Sequence, residues 1–313
     1  MKTVFFGTPD FAVANLDAIV QCGRHEVAAV VTVPDRQAGR GQKVVYSPVK
    51  QYALEHHIPL LQPEKLRDPA FIDALHAVEA DCFVVVAFRM LPEAVWAMPP
   101  RGTFNLHASL LPRFRGAAPI NWSIIQGEPR TGVTTFLLNH RIDEGNILLQ
   151  ESTPMTPRET AETLHDRLAE MGRSLVVRTL DGLADGSITP QPQQGTPCPA
   201  PKIFKDDCRI DFSRSAVEVD RLVRGLAPYP AAFLSLVNPK GESVQFKIFD
   251  TRPESATHNL PCGTLVCDGK RVLKIATTDG FVNILELQMA GKNRNSVENF
   301  LRGNQLTDWK LRL

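Results

Sequence analysis

The sequence predicts an α/β protein in two parts, a parallel-sheet domain with helices on both faces followed by a small β-barrel. Three observations carry this. The N-terminal part alternates short apolar runs with helical patterns, as strand–crossover–strand units do. Five prolines crowd the segment from Pro190 to Pro201, too many for a helix or a central strand. Beyond them come five short alternating segments separated by Gly or Asp turns. That pattern suits a small barrel, of which the oligonucleotide-binding barrel is one form.

The elements follow in order. KTVFF is the first strand. It ends at Gly7-Thr8-Pro9-Asp10, which predicts a tight turn with Thr8 as N-cap and Pro9 as the first residue of the helix PDFAVANLDAIV. Without G-x-G-x-x-G this turn reads as structural rather than as a dinucleotide site. EVAAVVTV is a second strand, and PDRQAGRGQK after it is a basic loop whose two glycines around Arg40 make it a poor helix. Basic loops of this kind can order on a phosphate backbone. SPVKQYALEHH is helical, and CFVVVAF and TFNLHAS are strands.

In the last of these, Asn105 and His107 are two residues apart, so alternation puts them on one face. They lie toward the strand's end, and parallel sheets bind ligands beyond the carboxyl ends of their strands. LLNHRIDEGNILLQ places Asp143 on a turn, with Gly145 behind it, between the apolar runs TTFLL and ILLQ. Thr156-Pro157-Arg158-Glu159 reads as a capping box opening a helix through Leu164, Leu168, Met171 and Leu175. The proline-rich segment is read as a semi-rigid linker, giving domains at 1–188 and 206–313 joined by 189–205. SRSAVEVDRLVRGL is helical, and AAFLSLV, SVQFKIFD, GTLVCD, VLKIAT and FVNILELQM are the barrel strands. No repeat relates the two parts.

Composition narrows the function classes. With 313 residues, 43% hydrophobic and 22% charged, the chain can bury two cores. Cys22, Cys82, Cys198, Cys208, Cys262 and Cys267 are scattered, with no C-x-x-C pair and no zinc-type His spacing. No metal site is expected, and a reducing compartment suits them. Asp10 and Asp17 interrupt the apolar pattern of the first helix, and no run reaches the roughly 18 apolar residues of a membrane helix. A cytoplasmic protein without a membrane partner is expected, and nothing in the pattern calls for a partner chain, so a monomer is expected too. The net charge of +1 divides unevenly: residues 201–313 hold 17 Lys+Arg against 13 Asp+Glu, and the first 200 hold 18 against 21. The C-terminal part therefore permits a polyanionic partner without demanding one.

A His beside an Asn joins a group that titrates near working pH to a neutral donor for a carbonyl oxygen gaining charge. The carboxylate that would complete the group is Asp143. Taken singly, each has an ordinary alternative: a turn carboxylate bonded to its own backbone, or a satisfied core histidine.

The surrounding residues decide between them. FNLHASLLPRFRGAAPINWSIIQGEPRTGVTTF followed by RIDEGNILLQ closely resembles the signature of the folate-dependent formyltransferases, in which an Asn, a His and a distant Asp form the catalytic group. VTVPDRQAGRGQKVVYSPVKQYALEHHIPLLQPEKL, KIFKDDCRIDFSRSAVEVDRLVRGLAPYPAAF and AGKNRNSVENFLRG resemble the branch of that family that acts on aminoacylated tRNA, so the similarity covers essentially the whole chain. It implies a Rossmann-like formyltransferase domain followed by an oligonucleotide-binding-like barrel that holds tRNA. It also implies 10-formyltetrahydrofolate as co-substrate, initiator methionyl-tRNA as acceptor, a role in translation initiation, and no metal.

By matching position, the resemblance implies that Asn105 and His107 face the formyl carbonyl and that Asp143 supports proton transfer. Ser109, Leu110, Leu111 and Pro112, with Phe88, Arg89 and Gly145, would bind the folate. Arg36, Arg40 and Lys43 would contact the acceptor end of the tRNA. Two departures stand out: Ala87–Pro92 lacks the family's usual Tyr-Gly pair, and RIDEGN has Arg141 and Asn146 where Gly and a second Asp are commoner. The alternatives are a relative acting on a small amine, such as a glycinamide ribotide or an amino sugar nucleotide, and a non-catalytic RNA-binding relative.

Overall fold

The computed structural model describes residues 1–38 and 43–312. In chain order its elements are β1 (Lys2–Gly7), α1 (Asp10–Cys22), β2 (Glu26–Val31), β3 (Arg36–Ala38), β4 (Lys43–Val45), α2 (Pro48–Glu55), β5 (Leu60–Leu61), α3 (Pro69–His76), β6 (Cys82–Val86), α4 (Glu93–Trp96), β7 (Thr103–His107), β8 (Arg113–Arg115), α5 (Pro119–Ile125), β9 (Arg130–Leu137), β10 (Ile147–Pro154), α6 (Ala161–Asp185) and β11 (Cys198–Pro199). There follow α7 (Ala216–Leu226), β12 (Ala232–Val237), β13 (Ser243–Ser255), β14 (Leu265–Cys267), β15 (Leu273–Ala276), β16 (Gly280–Met289), β17 (Asn295–Ser296), α8 (Val297–Gly303) and β18 (Lys310–Leu311). The chain forms two compact units: Met1–Pro119 with Arg130–Pro154 and His165–Ala200, and Ile120–Pro129 with Met155–Leu164 and Pro201–Leu313.

The first unit is built on a seven-stranded sheet in the order β10-β9-β7-β6-β1-β2-β5. Strands β7, β6, β1, β2 and β5 run parallel, as the alternation of strands and helices predicts. At one edge β9 runs antiparallel to β7, and β10, joined to β9 by the turn that carries Asp143, runs antiparallel to β9. Strand order reverses at β1, which has β2 on one side and β6 on the other. One face of the sheet packs Val4, Phe6, Val31, Phe83 and Val85 against Phe71 and Leu75 of α3. Full burial of each such side chain is worth about 1.5–3 kcal/mol.

Asn105 pairs in register with Val85 and so looks to this same side, whereas Leu106 looks to the other. A Cβ on Gly172 of α6 would come within 2.7 Å of Leu106 and 2.6 Å of Asn15. Glycine there lets α6 lie close against β7 and α1. The opposite face of β7 carries Thr103, Asn105 and His107.

Two helix starts differ from expectation. Thr8 does not cap α1: Pro9 is itself the N-cap, extended at φ −85° and ψ 178°, with no side-chain cap bond. Ala12 N instead donates to the Pro9 carbonyl at 2.9 Å. Only half of the Thr156–Glu159 box forms: Glu159 Oε2 accepts from Thr156 N at 2.9 Å and from its Oγ1 at 3.1 Å, while Glu159 N donates to the Thr156 carbonyl and not to its hydroxyl. It closes a turn rather than the helix, and α6 begins at Ala161 after Thr160, whose Oγ1 accepts from Thr163 N.

The proline-rich segment, read as a semi-rigid linker, is paired to the first unit over much of its length. Gln191 and Ile147 exchange both backbone hydrogen bonds, at 2.7 and 2.9 Å. β11 pairs in parallel with β8, and Ala200 N donates to the Arg115 carbonyl at 2.7 Å. Up to Ala200 this segment belongs to the first unit. Prolines are tolerated there because an edge pairing leaves alternate N–H groups unused.

In the second unit the strands run β14-β15-β16-β13-β12-β18, antiparallel, and curl into the nearly closed barrel expected of an oligonucleotide-binding-like fold. β13 pairs with β12 over its first half and with β16 from Phe246 to Ser255, and bulges on both sides of Asp250 bend it. Leu234, Phe246, Ile248, Ile275 and Ile284 fill the core with Val219 and Val223 of α7 and Phe300 of α8. α7 starts at a complete capping box of Ser215 and Glu218. Asp220 of α7 is buried among Arg158 Nη1 (2.9 Å), Arg224 Nε (2.8 Å) and Thr251 Oγ1 (2.9 Å). Among the described residues no helix is long and apolar enough to cross a membrane.

Candidate active site

β7 delivers the first two groups. Asn105 is half-buried, and among the described residues its amide has no hydrogen-bond partner. A half-buried amide with unused donors is available to a ligand, since fold groups of this kind are normally paired.

His107 is buried, and its Nε2 lies 2.7 Å from the Phe114 carbonyl. A carbonyl only accepts, so Nε2 carries the proton and Nδ1 is the nitrogen left for chemistry. Nδ1 faces Asp143 Oδ2 at 3.9 Å, beyond a direct hydrogen bond. The structure therefore brings His107 and Asp143 together, with Asn105 on the same face of β7 as His107.

Asp143 reaches this position through its turn. Its backbone is left-handed at φ 54°, which an Asp tolerates better than most residues. Oδ2 accepts a hydrogen bond from Gly116 N at 2.8 Å. Gly145 packs so tightly on β9 that a Cβ would lie 1.6 Å from the Leu137 carbonyl oxygen. The turn is thus folded back against its own hairpin.

The segment between His107 and Gly116 is tied down from below. Ser109 is fully buried, and its Oγ donates to the Arg113 carbonyl at 2.6 Å. Thr134 Oγ1 donates to the Ser109 carbonyl at 2.6 Å and accepts from Leu111 N, while Gln150 Nε2 donates to the Leu111 carbonyl. Ser109, Leu111 and Pro112 are buried and shape the segment, and Leu110 is its half-exposed member.

Phe88 and Arg89 follow β6. The Phe88 ring meets Phe6 edge-on at 5.7 Å, and Arg89 donates to the carbonyls of Glu64 and Pro63. Burial, with Arg36 nearby, holds the Arg89 guanidinium below its ordinary pKa. Arg36 is exposed on β3 and Lys43 opens β4, while Arg40 lies outside the described residues. The base of this hairpin is anchored by a group that sequence reasoning missed: Lys50 Nζ bonds both Asp35 oxygens, at 2.8 and 2.6 Å, and Gln62 Oε1 at 3.0 Å. The Lys50 bond holds the Asp35 carboxyl below the usual carboxylate range. Phe114, Thr134, Gln150 and Gln193 were missed as well, because their roles run through backbone carbonyls or distant segments. Only Gly116, in the FRG turn, left a local signal.

A donor amide, an imidazole and a carboxylate set close together can stabilise a developing oxyanion and move a proton. On a parallel sheet with a separate barrel unit, this defines a two-unit α/β enzyme of the group-transfer class. Residues 1–180 match the family model for formyl transferase, and residues 202–305 match that for the formyl transferase C-terminal domain. The chain belongs to the formyl transferase family.

Among curated relatives, the chain is 51% identical over 313 residues to the methionyl-tRNA formyltransferase of Bacteroides fragilis, covering 98% of this chain and 96% of that one. It is also 51% identical to that of Bacteroides thetaiotaomicron, covering 98% and 97%, and 44% identical to that of Flavobacterium psychrophilum, covering 99% and 98%. Two solved structures share the fold. HypX from Aquifex aeolicus in complex with tetrahydrofolic acid has a TM-score of 0.65 at 20% identity over 98% of this chain, which spans 48% of that longer chain. WlaRD, a sugar 3N-formyl transferase, has a TM-score of 0.65 at 19% identity, with 94% and 99% covered.

Proposed function

We propose that this chain transfers the formyl group of 10-formyltetrahydrofolate to the α-amine of methionyl initiator tRNA, giving N-formylmethionyl-tRNA for translation initiation. The observation that carries this reading is 51% identity over 98% of the chain to relatives of that name. The geometry supports the chemistry. The amine attacks as the free base, and negative charge builds on the formyl oxygen as the new C–N bond forms. The Asn105 amide, without a partner among the described residues, is the donor for that oxygen, and the Nδ1 side of His107, once protonated, is the second. Asp143, directly or through water, takes the proton the amine sheds, and the proton leaves on the folate nitrogen as its bond to the formyl carbon breaks.

In this reading Leu110, with the backbone of Ser109–Pro112, Phe88, Arg89 and Gly145, borders the folate. Arg36, Arg40 and Lys43 meet the acceptor end of the tRNA, and the barrel unit holds its backbone. The protein works in the cytoplasm as a monomer.

The test is transfer of radiolabelled formyl from 10-formyltetrahydrofolate to initiator methionyl-tRNA, with unacylated tRNA and a nucleotide-sugar amine as controls. Label on methionyl-tRNA alone is expected. Label on the sugar amine alone would overturn the acceptor while keeping the chemistry.

A further inference from the structure

Gln193 lies in the proline-rich segment, where it alone among residues 191–197 is not exposed. Its amide is fully used. Nε2 donates to the carbonyls of Asp143 (2.8 Å) and Gly145 (2.9 Å), and Oε1 accepts from Arg115 Nε (3.1 Å) and Nη2 (2.7 Å). The orientation is forced, because carbonyls only accept and a guanidinium only donates. Arg115 also reaches Glu144 at 3.1 Å, so one side chain grips every residue from Asp143 to Gly145 directly or through Arg115.

The contacts close a ring. Gln193 holds the backbone of Asp143, Asp143 Oδ2 holds Gly116 N, and Gly116 follows Arg115, which returns to Gln193. Phe114, whose carbonyl takes the proton of His107 Nε2, is the neighbour of Arg115 on β8. The strand that fixes the imidazole and the turn that carries the carboxylate are thus joined through this amide, beside the Gly116–Asp143 bond and the Arg115–Glu144 pair. The left-handed backbone of Asp143 needs such support, since a non-glycine residue keeps that conformation only where its surroundings impose it.

We propose that Gln193 is a positioning residue for Asp143, setting the 3.9 Å separation between that carboxylate and His107 Nδ1. The inference rests on the reading of Asp143 as the group that handles the proton. Nothing in it requires Gln193 to touch either substrate.

The experiment compares single-turnover formyl transfer by Gln193→Met, Asp143→Asn and the double variant, with KM for both substrates. Met keeps the length of Gln and removes all four hydrogen bonds. Gln193→Glu keeps an acceptor for Arg115 but sets a carboxylate against two carbonyls, and it serves the same test should the Met variant fail to fold. The expected result is a fall of about 10- to 100-fold in rate with KM unchanged, as a misplaced reacting group gives. The double variant should be no slower than Asp143→Asn, because both changes remove one function. A native rate in Gln193→Met beside a slow Asp143→Asn would overturn this inference alone, as would losses that multiply in the double variant. A native rate in Asp143→Asn would overturn the reading of Asp143, and this inference with it.

Discussion

Replacing Gly145 by Ala tests the geometry of the Asp143 turn without removing any reacting group. The added Cβ would lie 1.6 Å from the Leu137 carbonyl oxygen and 2.8 Å from its carbon. Neither neighbour is a flexible side chain that can swing away. Both belong to the backbone of β9, which is paired to β7 on one side and β10 on the other. To open the contact to 3.0 Å the turn must retreat by at least about 1.4 Å, the kind of shift that overpacking forces. Asp143, two residues earlier, moves with it, and its 3.9 Å relation to His107 is lost. A displacement near 1 Å can cost about 10² in rate, so single-turnover transfer should fall about 100-fold. Unfolding free energy should fall by about 1–3 kcal/mol, the usual cost of overpacking. Rapid-quench transfer at saturating donor, with urea unfolding of the same protein, reads both. A rate within about threefold of native, far short of the misplacement penalty, would refute the argument.

Asn105→Ala should slow transfer by about 10²–10³, the usual cost of one lost oxyanion donor. Its urea midpoint should hardly move, since the amide bonds nothing else among the described residues. Asp220→Ala should lower unfolding free energy by about 3–5 kcal/mol in urea titrations, because it leaves the buried Arg224 guanidinium without its carboxylate, only the Glu159 carbonyl remaining. His25 has its pKa lowered by burial, against the opposing hydrogen bond to Asp181. The unfolded chain then binds the extra proton first, so stability is fully present above about pH 6.5 and declines as pH falls toward the lowered folded value. His25→Gln should flatten that part of the stability profile measured by unfolding at successive pH values. Arg40→Ala should weaken tRNA binding and reduce its salt slope by about 0.9 for one lost phosphate contact, with folate affinity unchanged in parallel titrations.

Much of the first unit could be read from the chain because its signals are local. Alternation alone put Asn105 and His107 on one face, and strand–helix alternation alone predicted the parallel core of the sheet. What could not be read depends on groups that carry no sequence label. His107 is held by the carbonyl of Phe114, and every residue has a carbonyl. Thr8 satisfies the chemistry of an N-cap, yet Pro9, extended in ψ, takes the half-helical place itself. Composition correctly excluded helix and central strand from the proline-rich segment, but it cannot distinguish a semi-rigid linker from a strap paired to the sheet, because an edge strand needs only alternate residues to bond.

Gln193 shows the limit most clearly. Gln191, Gln193 and Gln194 stand in one stretch of similar composition, and of the three it is Gln193 whose amide, among the described contacts, turns onto the Asp143 turn. Its partners are 48, 50 and 78 residues away, so no window along the chain contains both ends of the contact. Gly145 is the opposite case. Resemblance assigned it to the folate pocket by position, and the structure adds a physical reason for glycine that needs no ligand: the Leu137 carbonyl occupies the space of its side chain. If Gly145→Ala slows transfer without weakening folate binding, the glycine serves the carboxylate rather than the cofactor. If folate affinity falls in step with rate, the positional assignment is the better account.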